Sequence, residues 1–468
     1  MAAFFHFKTL DDLRRQVKRL NLTMPFEDSL QMLVSPVTLP QGWRLGNAMI
    51  IHPMEGCDGS LQGLPDELTR RRYQRFATGG AKLIWAEATA VTADGRANPR
   101  QLWLHDRSFD AFSRLVDDMR RWHRQRFGTD DDLRIGLQLT HSGRWSHPKP
   151  VIAVRDPFLD RVTAIRRNGR KIPLPENYPI ISDDELEALE DEFVKAAQLA
   201  YRAGFDFIDL KQCHTYLLNE LLGARTRPGR YGGDWQNRIR FITNVVRKIR
   251  DRVPSLQIAS RVNLFDGFPP IANADATDPP GIRNGFGIDP AHPGRIDLSE
   301  PIALIQTLAE MGVRLFNVTL GSPYFAPHLG RPFEKPAPDM RPSPEHPLIG
   351  VDRHFRLAAE VKRALPQVAL VGTGYSYLRQ FFPHAAEANL RRQRIDLVGL
   401  GRMALAYPDF AADLMEKGRL DPRRVCLTVS FCTALMRRKD NALGQYPTGC
   451  VPRDPLYARL YRSLPRQP

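Results

Sequence analysis

The stretch SDDELEALEDEFVKAAQLAYRAGFDFIDLKQC, residues 182–213, joins a helix directly to a strand. Ser182 and Glu185 form a capping box at the start of the predicted helix, and Gly204 is placed to end it. The run that follows, residues 205–213, is short and begins with large apolar residues, which is typical of a strand buried on both faces. The stretch therefore predicts one helix–strand unit of an α/β fold.

The same pattern recurs along most of the chain. Seven further apolar runs lie at residues 47–55, 81–91, 134–142, 256–264, 314–322, 368–376 and 395–403. Amphipathic segments separate them, near residues 66–78, 107–125, 235–251, 300–311, 352–364 and 377–391. Eight strand–helix units in series predict a (β/α)8 TIM barrel, and a doubly wound parallel sheet is the alternative.

The barrel assignment divides the chain into three parts. Residues 33–415 form the predicted barrel, residues 1–32 an N-terminal extension, and residues 416–468 a cysteine-containing tail that packs on the barrel. Two inserts rich in Pro and Gly, residues 145–181 and 266–296, are predicted to be loops. Substrate specificity is expected to reside in these two loops and in residues 323–348, none of which carries a motif.

The composition is that of a soluble globular protein. The chain has 468 residues, of which 42% are hydrophobic and 25% charged. No apolar run reaches the roughly 18 residues that a transmembrane helix needs. The N-terminus has no secretory apolar core, so we expect a cytoplasmic protein that does not bind a membrane.

The net charge of +15 raises the question of nucleic-acid binding. The arginines are spread along the chain, and no nucleic-acid-binding motif or zinc-finger spacing occurs. A basic surface for an anionic cofactor or a small-molecule substrate is therefore favoured over nucleic acid, and homo-oligomerisation is left open. Five cysteines in so long a chain argue against a secreted disulfide framework.

Functional residues of a TIM barrel collect at the C-terminal ends of the strands. The residues at these ends are polar and basic, and glycine-bearing turns follow the seventh and eighth strands at Gly374 and at Gly401-Arg402. Such turns bind phosphate through backbone N–H groups. The strand ends therefore predict a site for a phosphorylated ligand with a polar ring system.

The strand-end motifs, taken in order, resemble the Old Yellow Enzyme family of flavin oxidoreductases. The resemblance runs from about Leu33 to Phe410. It is carried by SPVTL and NAMIIHPME, WAEATAV with GRANP, IGLQLTHSGR, CHTYLLNELL with YGGDWQNR, SRVN, and VGLGRMALAYPDF. It implies a barrel that binds FMN and passes hydride from NADH or NADPH to an activated alkene.

The resemblance also implies roles for particular residues. Arg261 would face the edge of the flavin where negative charge collects on reduction, and Gln138 would hydrogen-bond the pyrimidine ring. The other positions implied to contact the cofactor are Pro53, Met54, Glu55, Ala88, Gly374, Tyr375, Gly401 and Arg402. Among these, Gly374, Gly401 and Arg402 would hold the phosphate.

The catalytic residues implied by the resemblance lie at the end of the fourth strand. Lys211 and His214 would grip the carbonyl oxygen of the substrate, and Tyr216 would donate a proton to the alkene carbon. Lys211 stands where the family usually has histidine. The alternative is that Lys211 forms a salt bridge with Glu55 across the site.

Two further departures from the family pattern concern Glu55 and the tail. Glu55 stands where a small hydroxyl or thiol is more usual. It would be protonated, or would lower the reduction potential of the flavin as an anion, or would turn away to pair with a basic neighbour. Its neighbour His52 is expected to pack in the core.

In the tail, three cysteines match an iron–sulfur motif of trimethylamine dehydrogenase-like and 2,4-dienoyl-CoA reductase-like relatives, namely Cys426, Cys432 and Cys450. Val429 occupies the fourth position and cannot ligate iron, so we expect a remnant without a metal.

Three functions are therefore weighed. The leading hypothesis is an FMN-dependent, NAD(P)H-dependent oxidoreductase that reduces an α,β-unsaturated carbonyl compound. A flavin enzyme of the same fold with another task, oxidative demethylation or unsaturated acyl-CoA reduction, is the second. A basic, non-enzymatic protein that binds nucleic acid or another ligand is the third.

Overall fold

The computed structural model describes residues 4–167, 170–268, 282–334 and 342–465. Its centre is a closed barrel of parallel strands, each hydrogen-bonded to the strands before and after it. The strands are β1 (Met49–Ile51), β2 (Leu83–Ala90), β3 (Arg134–Thr140), β4 (Phe207–Leu210), β5 (Gln257–Asn263), β6 (Leu315–Thr319), β7 (Ala369–Gly372) and β8 (Leu397–Leu400). The predicted (β/α)8 fold is confirmed, and the doubly wound alternative is wrong because the sheet closes.

A helix follows each strand and covers the outside of the barrel. The helices are α1 (Glu67–Ala77), α2 (Phe109–Phe127), α3 (Asp183–Arg202), α4 (Trp235–Arg252), α5 (Ser299–Glu310), α6 (Pro347–Ala364), α7 (Phe382–Arg391) and α8 (Phe410–Lys417). The capping box of α3 is present. The Glu185 backbone N–H donates to Ser182 Oγ at 3.2 Å, and the Ser182 N–H donates to the Glu185 carboxylate at 2.7 Å.

One predicted helix is divided. Residues 377–391 were expected to form a single helix, but a 3₁₀ helix spans Tyr375–Phe381 and α7 begins only at Phe382. Arg379 lies at the break with φ 51° and ψ −126°, a conformation that no α-helix contains. The turn after β7 is therefore a separate element that carries Gly374 at its start.

The strands are shorter than the apolar runs that predicted them. The run at residues 205–213 yields only Phe207–Leu210, and the run at 47–55 yields Met49–Ile51. Polar residues that follow the strands directly, such as Lys211 after β4 and His52 after β1, are nevertheless buried.

Strand β2 contains one extra residue relative to β3. Ala86 pairs with Leu137 and Ala88 with Gln138, so Glu87 has no partner of its own. The Glu87 carboxylate is buried, where it accepts hydrogen bonds from Arg72 at 2.6 Å and from the Gly56 N–H at 2.6 Å. The bulge thus joins the β1 loop to α1 while β2 continues into the site.

Both inserts contain secondary structure, although they were predicted to be loops. The first holds the helix Pro157–Val162 and an antiparallel hairpin of Ala164–Arg167 with Arg170–Pro173. The second holds a hairpin of Ile288–Asp289 with His292–Ile296, while residues 269–281 lie outside the described chain.

A buried ion pair fastens the first insert to the barrel. Arg144 Nη2 lies 2.6 Å from Glu220 Oε1, and neither side chain is exposed to solvent. The same carboxylate accepts the N–H groups of Ala153 and Val154, both at 3.1 Å. Glu220 belongs to the short helix Leu217–Gly223.

The two terminal segments pack on the barrel. Glu334 accepts the backbone N–H groups of Phe4 at 2.6 Å and Phe5 at 2.9 Å, ahead of the helix Leu10–Arg19. In the tail, Asp454 binds Arg75 of α1 at 2.6 Å. None of the helices in the described ranges is long and apolar enough to span a membrane.

Candidate active site

A cavity opens at the C-terminal ends of the strands. Its lining comes from the β1, β4, β7 and β8 ends, from β5, and from the loop after β6. The lining residues are His52, Pro53, Met54, His214, Arg261, Pro323, Pro327, Gly330, Arg331, Pro332, Thr373, Gly374, Ser376, Gly399, Gly401 and Arg402. Seven residues predicted from the sequence thus meet in one place: Pro53, Met54, His214, Arg261, Gly374, Gly401 and Arg402.

One side of the cavity carries two arginines, Arg331 and Arg402. Arg402 Nη2 donates to the Pro332 carbonyl at 2.6 Å, and Arg331 Nη1 donates to Thr433 Oγ1 at 2.5 Å. One buried nitrogen of each guanidinium, Nη1 of Arg402 and Nη2 of Arg331, has no partner among the described residues. Burial, reinforced by the Arg402 charge, lowers the pKa of Arg331 to about 9.

No carboxylate of the described residues balances the charge of these two guanidiniums. Within the described ranges, neither forms an ion pair with a carboxylate within 4.0 Å. Gly374 lies beside them with φ 102°, a conformation that favours glycine, at the start of the 3₁₀ helix. Two buried cations next to glycine turns can together bind an anion that carries more than one negative charge.

Arg261 is a third arginine that lines the cavity. Its backbone N–H donates to Asp209 at 2.7 Å, its Nη1 lies 3.4 Å from the Pro53 carbonyl, and its buried Nε has no partner in the described chain. The guanidinium therefore keeps hydrogen-bonding capacity for a ligand.

Asp209, which the sequence did not single out, links β4 to three other strands. Besides Arg261 it accepts hydrogen bonds from Trp85 Nε1 at 2.8 Å and Gln138 Nε2 at 2.6 Å. Burial raises the pKa of Asp209 to about 6. Ala88 is the pairing partner of Gln138 on β2.

His52 faces the cavity, although it was expected to pack in the core. Its Nδ1 accepts from Asn317 Nδ2 at 3.0 Å. Thr373 donates its hydroxyl hydrogen to the Val318 carbonyl, so His52 Nε2–H donates to Thr373 Oγ1 at 3.1 Å. Burial and the Arg261 charge hold the pKa of His52 well below its usual range, and the imidazole is neutral.

Tyr375 does not face the cavity. Its ring packs against Phe355 at 4.7 Å between centroids, and its hydroxyl accepts from Asn389 Nδ2 at 3.0 Å. Only the backbone of Tyr375 can therefore contact a cofactor. Cofactor binding through this backbone stays a prediction.

The turn after β4 brings His214 to the cavity. His214 and Thr215 have φ values of 67° and 55°, in the left-handed region. The turn is held by the Thr215 N–H, which donates to Asn219 Oδ1 at 2.6 Å, and by Trp145 Nε1, which donates to Thr215 Oγ1 at 2.9 Å. Regular strand alternation ends at Leu210, so His214 turns inward.

Lys211 and Tyr216 flank His214 on this turn. The Lys211 ammonium lies 3.6 Å from the centre of the Tyr216 ring. No ion pair within 4.0 Å joins Lys211 to Glu55, and both residues are described. Burial lowers the pKa of Lys211 and raises that of Glu55. The predicted alternative, a direct Lys211–Glu55 salt bridge, is therefore wrong for this structure.

Tyr324, from the loop after β6, completes this cluster and was not predicted. Its hydroxyl lies 3.0 Å from the Tyr216 hydroxyl, and its ring stacks on Trp145 at 4.0 Å with an angle of 5°. Tyr324 and Arg331 both come from residues 323–348, where the sequence offers no motif. A Gly-Arg-Pro sequence at residues 330–332 was the only local signal of a fixed arginine.

The three tail thiols lie together beside the arginines. Cys426, Cys432 and Cys450 line a small pocket with Val429 and Arg402. All three are free thiols, and burial raises the pKa of Cys426 and Cys450. Over the described ranges, no group of three or more His, Cys, Asp or Glu residues could hold a metal ion.

Comparisons with known proteins agree with this architecture. Residues 32–279 match the model of the NADH:flavin oxidoreductase / NADH oxidase family. An NADPH dehydrogenase from Bacillus cytotoxicus is 25% identical over 386 residues, which are 81% of this chain and 90% of the relative.

Two solved structures share the fold. A 2-naphthoyl-CoA reductase in complex with 2-naphthoyl-CoA has a TM-score of 0.65 at 17% identity, covering 93% of this chain and 58% of that protein. An Old Yellow Enzyme homologue from Zymomonas mobilis has a TM-score of 0.58 at 19% identity, covering 85% of this chain and 96% of that protein. The family model spans more than half of the chain and covers strands β1 to β5, with the cavity residues Pro53, His214 and Arg261. This chain therefore belongs to the NADH:flavin oxidoreductase / NADH oxidase family, the family of Old Yellow Enzyme.

Proposed function

We propose that this protein is an FMN-dependent oxidoreductase that uses NADH or NADPH to reduce an activated alkene such as an α,β-unsaturated carbonyl compound. The observation that carries the proposal is the arrangement around one cavity. The same cavity is lined by arginines with unpaired N–H groups and by His214, which lies between Lys211 and Tyr216 in the sequence. An anionic cofactor and a carbonyl substrate can therefore be bound next to each other.

The residues present fit FMN. Arg402 and Arg331, with the Gly374 and Gly401 turns, would bind the phosphate, because their buried donors lack partners in the described protein. Arg261 would bind the ring edge that becomes negative on reduction. Pro53, Met54, Ala88 and Gln138 would line the ring, as would Glu55. Bound FMN would supply a two-electron carrier between the nicotinamide and the alkene.

The residues at the end of β4 would activate the substrate. Lys211 and His214 would donate hydrogen bonds to the carbonyl oxygen, where negative charge develops as hydride reaches the β-carbon. Burial holds the pKa of His214 well below its usual range, so His214 would act as a neutral donor. Tyr216, whose pKa burial raises, keeps its proton and would deliver it to the α-carbon.

The proposal also covers the location, the binding partners and the domains of the enzyme. We place it in the cytoplasm, acting on a small molecule and on neither nucleic acid nor membrane, with homo-oligomerisation left open. Residues 33–415 are proposed as the FMN-binding domain, with residues 1–32 and 416–468 as extensions packed on it.

A second candidate is reduction of an unsaturated acyl-CoA thioester. Two cations of the tail favour it. Arg437 donates to the carbonyl of Pro323, a cavity residue, at 3.0 Å, and the charge of Lys439 acts on Glu55. Both cations could bind the phosphates of CoA. Faster reoxidation by an enoyl-CoA than by the matching enone would favour this candidate.

Stopped-flow measurement of the two half-reactions tests the proposal. Lys211→Ala and Tyr216→Phe should leave reduction of the flavin by NAD(P)H near the wild-type rate. They should slow alkene reduction by ~10²–10³-fold and ~10²–10⁴-fold, the usual loss for an oxyanion donor and a general acid. Tyr201→Phe, a change on the outside of the barrel, is the control. A colourless protein that takes up no FMN, or an unimpaired alkene step in both variants, would refute the proposal.

A further inference from the structure

We propose that Glu55 supplies the proton that Tyr216 delivers, acting through the tyrosine hydroxyl and not on the substrate itself. The inference rests on the proposed function, since Tyr216 needs a proton supply only if the site reduces an alkene. It gives a role to the carboxyl group that departs from the family pattern at the end of β1.

Among the described residues, Tyr216 has one acidic neighbour. Its hydroxyl lies 3.5 Å from Glu55 Oε2 and 3.0 Å from the Tyr324 hydroxyl. Glu55 is the only carboxyl group in the described chain that contacts this hydroxyl. Asn98 Nδ2 lies 3.5 Å from the other carboxyl oxygen, Oε1. The contact to Tyr216 is long, as catalytic hydrogen bonds often are before substrate binds.

Charge explains why the proton supply must be close. Tyr216 is 2% exposed, so a phenolate left there after proton donation would be poorly solvated. If Glu55 were ionised at that moment, two negative charges would face each other in a buried site. A protonated Glu55 removes this obstacle, because its proton passes to the phenolate as the charge develops.

The surroundings of Glu55 can stabilise both its protonated and its ionised form. Burial raises its pKa, while the charges of Lys211 and Lys439 and the Tyr216 hydrogen bond lower it. Tyr324 and the Cys57 thiol also face it, and burial holds the pKa of each above its usual range, so both are neutral. The carboxyl group can therefore hold a proton at rest and be stabilised as an anion by two ammonium groups after release.

The step balances. The Tyr216 O–H bond breaks as the C–H bond at the α-carbon forms, and the Glu55 O–H bond breaks as the Tyr216 O–H bond re-forms. Glu55 then takes a proton from water. The two electrons of the reduction arrive with the hydride of the proposed reaction, so Glu55 changes only its protonation state.

The pH dependence of the alkene half-reaction tests this assignment. In wild-type protein the rate should be highest below the pKa of Glu55 and should fall as the pH rises through it. The pH profile of Glu55→Gln should lack this falling limb. At the low-pH end the variant should react about 10²-fold more slowly than wild type, the lower range for a lost acid. Lys439→Ala removes a charge that lowers the pKa of Glu55, so its limb should move to higher pH.

A second readout does not depend on turnover. The infrared carbonyl band of a protonated carboxyl should appear in the wild-type-minus-Glu55→Gln difference spectrum and disappear with the same pH dependence. Tyr216→Phe should shift that titration upward, because it removes a hydrogen bond to the carboxylate.

The outcomes separate the two proposals. If NAD(P)H fails to reduce the flavin of the wild-type protein, the proposed function fails, whatever the infrared titration shows. If flavin reduction is normal but Glu55→Gln keeps the wild-type pH profile, the role of Glu55 is overturned. Should Glu55→Gln retain no flavin, an unmoved limb in Lys439→Ala would overturn it as well.

Discussion

Replacing Arg331 or Arg402 by alanine should weaken the binding of FMN and not that of riboflavin. Each guanidinium has one buried nitrogen without a partner in the described chain, so each can donate one charge-assisted hydrogen bond to a phosphate. A hydrogen bond to a charged group contributes about 1.5–3 kcal/mol. At about 1.4 kcal/mol per factor of ten, each variant should bind FMN ~10- to 150-fold more weakly.

The assay is a fluorescence titration of flavin-free protein with FMN and with riboflavin, which lacks the phosphate. Arg230→Ala is the matched control, because that guanidinium is about half exposed and binds Asp184 on the outside of the barrel. The two arginines repel each other, so their effects should not add. Equal losses for FMN and riboflavin, or no loss for either, would show that these arginines do not bind phosphate.

Three other predictions concern the ring edge, the insert and the tail. Arg261→Ala should slow flavin reduction by ~10²-fold while changing FMN retention less than Arg402→Ala does, since the charge it stabilises exists only after reduction; the reverse order in stopped-flow and retention assays would contradict its assignment. Arg144→Met should lower the free energy of unfolding by about 3–5 kcal/mol in chemical denaturation, because it leaves the buried Glu220 carboxylate without its arginine. A loss below about 1 kcal/mol, as for an exposed pair, would show that other groups stabilise this carboxylate. Purified protein should contain far less than one iron atom per chain, before and after anaerobic reconstitution, since Val429 cannot ligate iron; stoichiometric iron would refute this.

The barrel could be predicted because its information is local. Each strand is an apolar run, and α3 carries its own capping signals at Ser182 and Glu185. The common position of the strand ends then follows from the fold, because the parallel strands of a barrel place their C-terminal residues on one face. This is why the sequence alone could assign Arg261 and Arg402, which are far apart in the chain, to one cavity.

The direction of side chains beyond the strand ends could not be predicted in this way. Tyr375 follows Gly374 directly, yet its ring turns outward to Phe355 because the turn begins with a positive φ. Lys211 lies over the Tyr216 ring and does not pair with Glu55. From the sequence alone, the opposite charges of Lys211 and Glu55 would favour an ion pair. Such choices depend on the space and the hydrogen-bond partners that neighbouring elements leave.

By itself, then, the sequence determined the closed barrel, the face that carries the site, and the residues that strands deliver to it. The tertiary structure alone decided the contributions of Tyr324 and Arg331, from a loop whose sequence has no periodic pattern. It also joined Glu55, Tyr216 and Tyr324 into one cluster. The physical reason is that strand and helix patterns are fixed by neighbours in the chain, whereas a loop takes its conformation from the surfaces on which it packs.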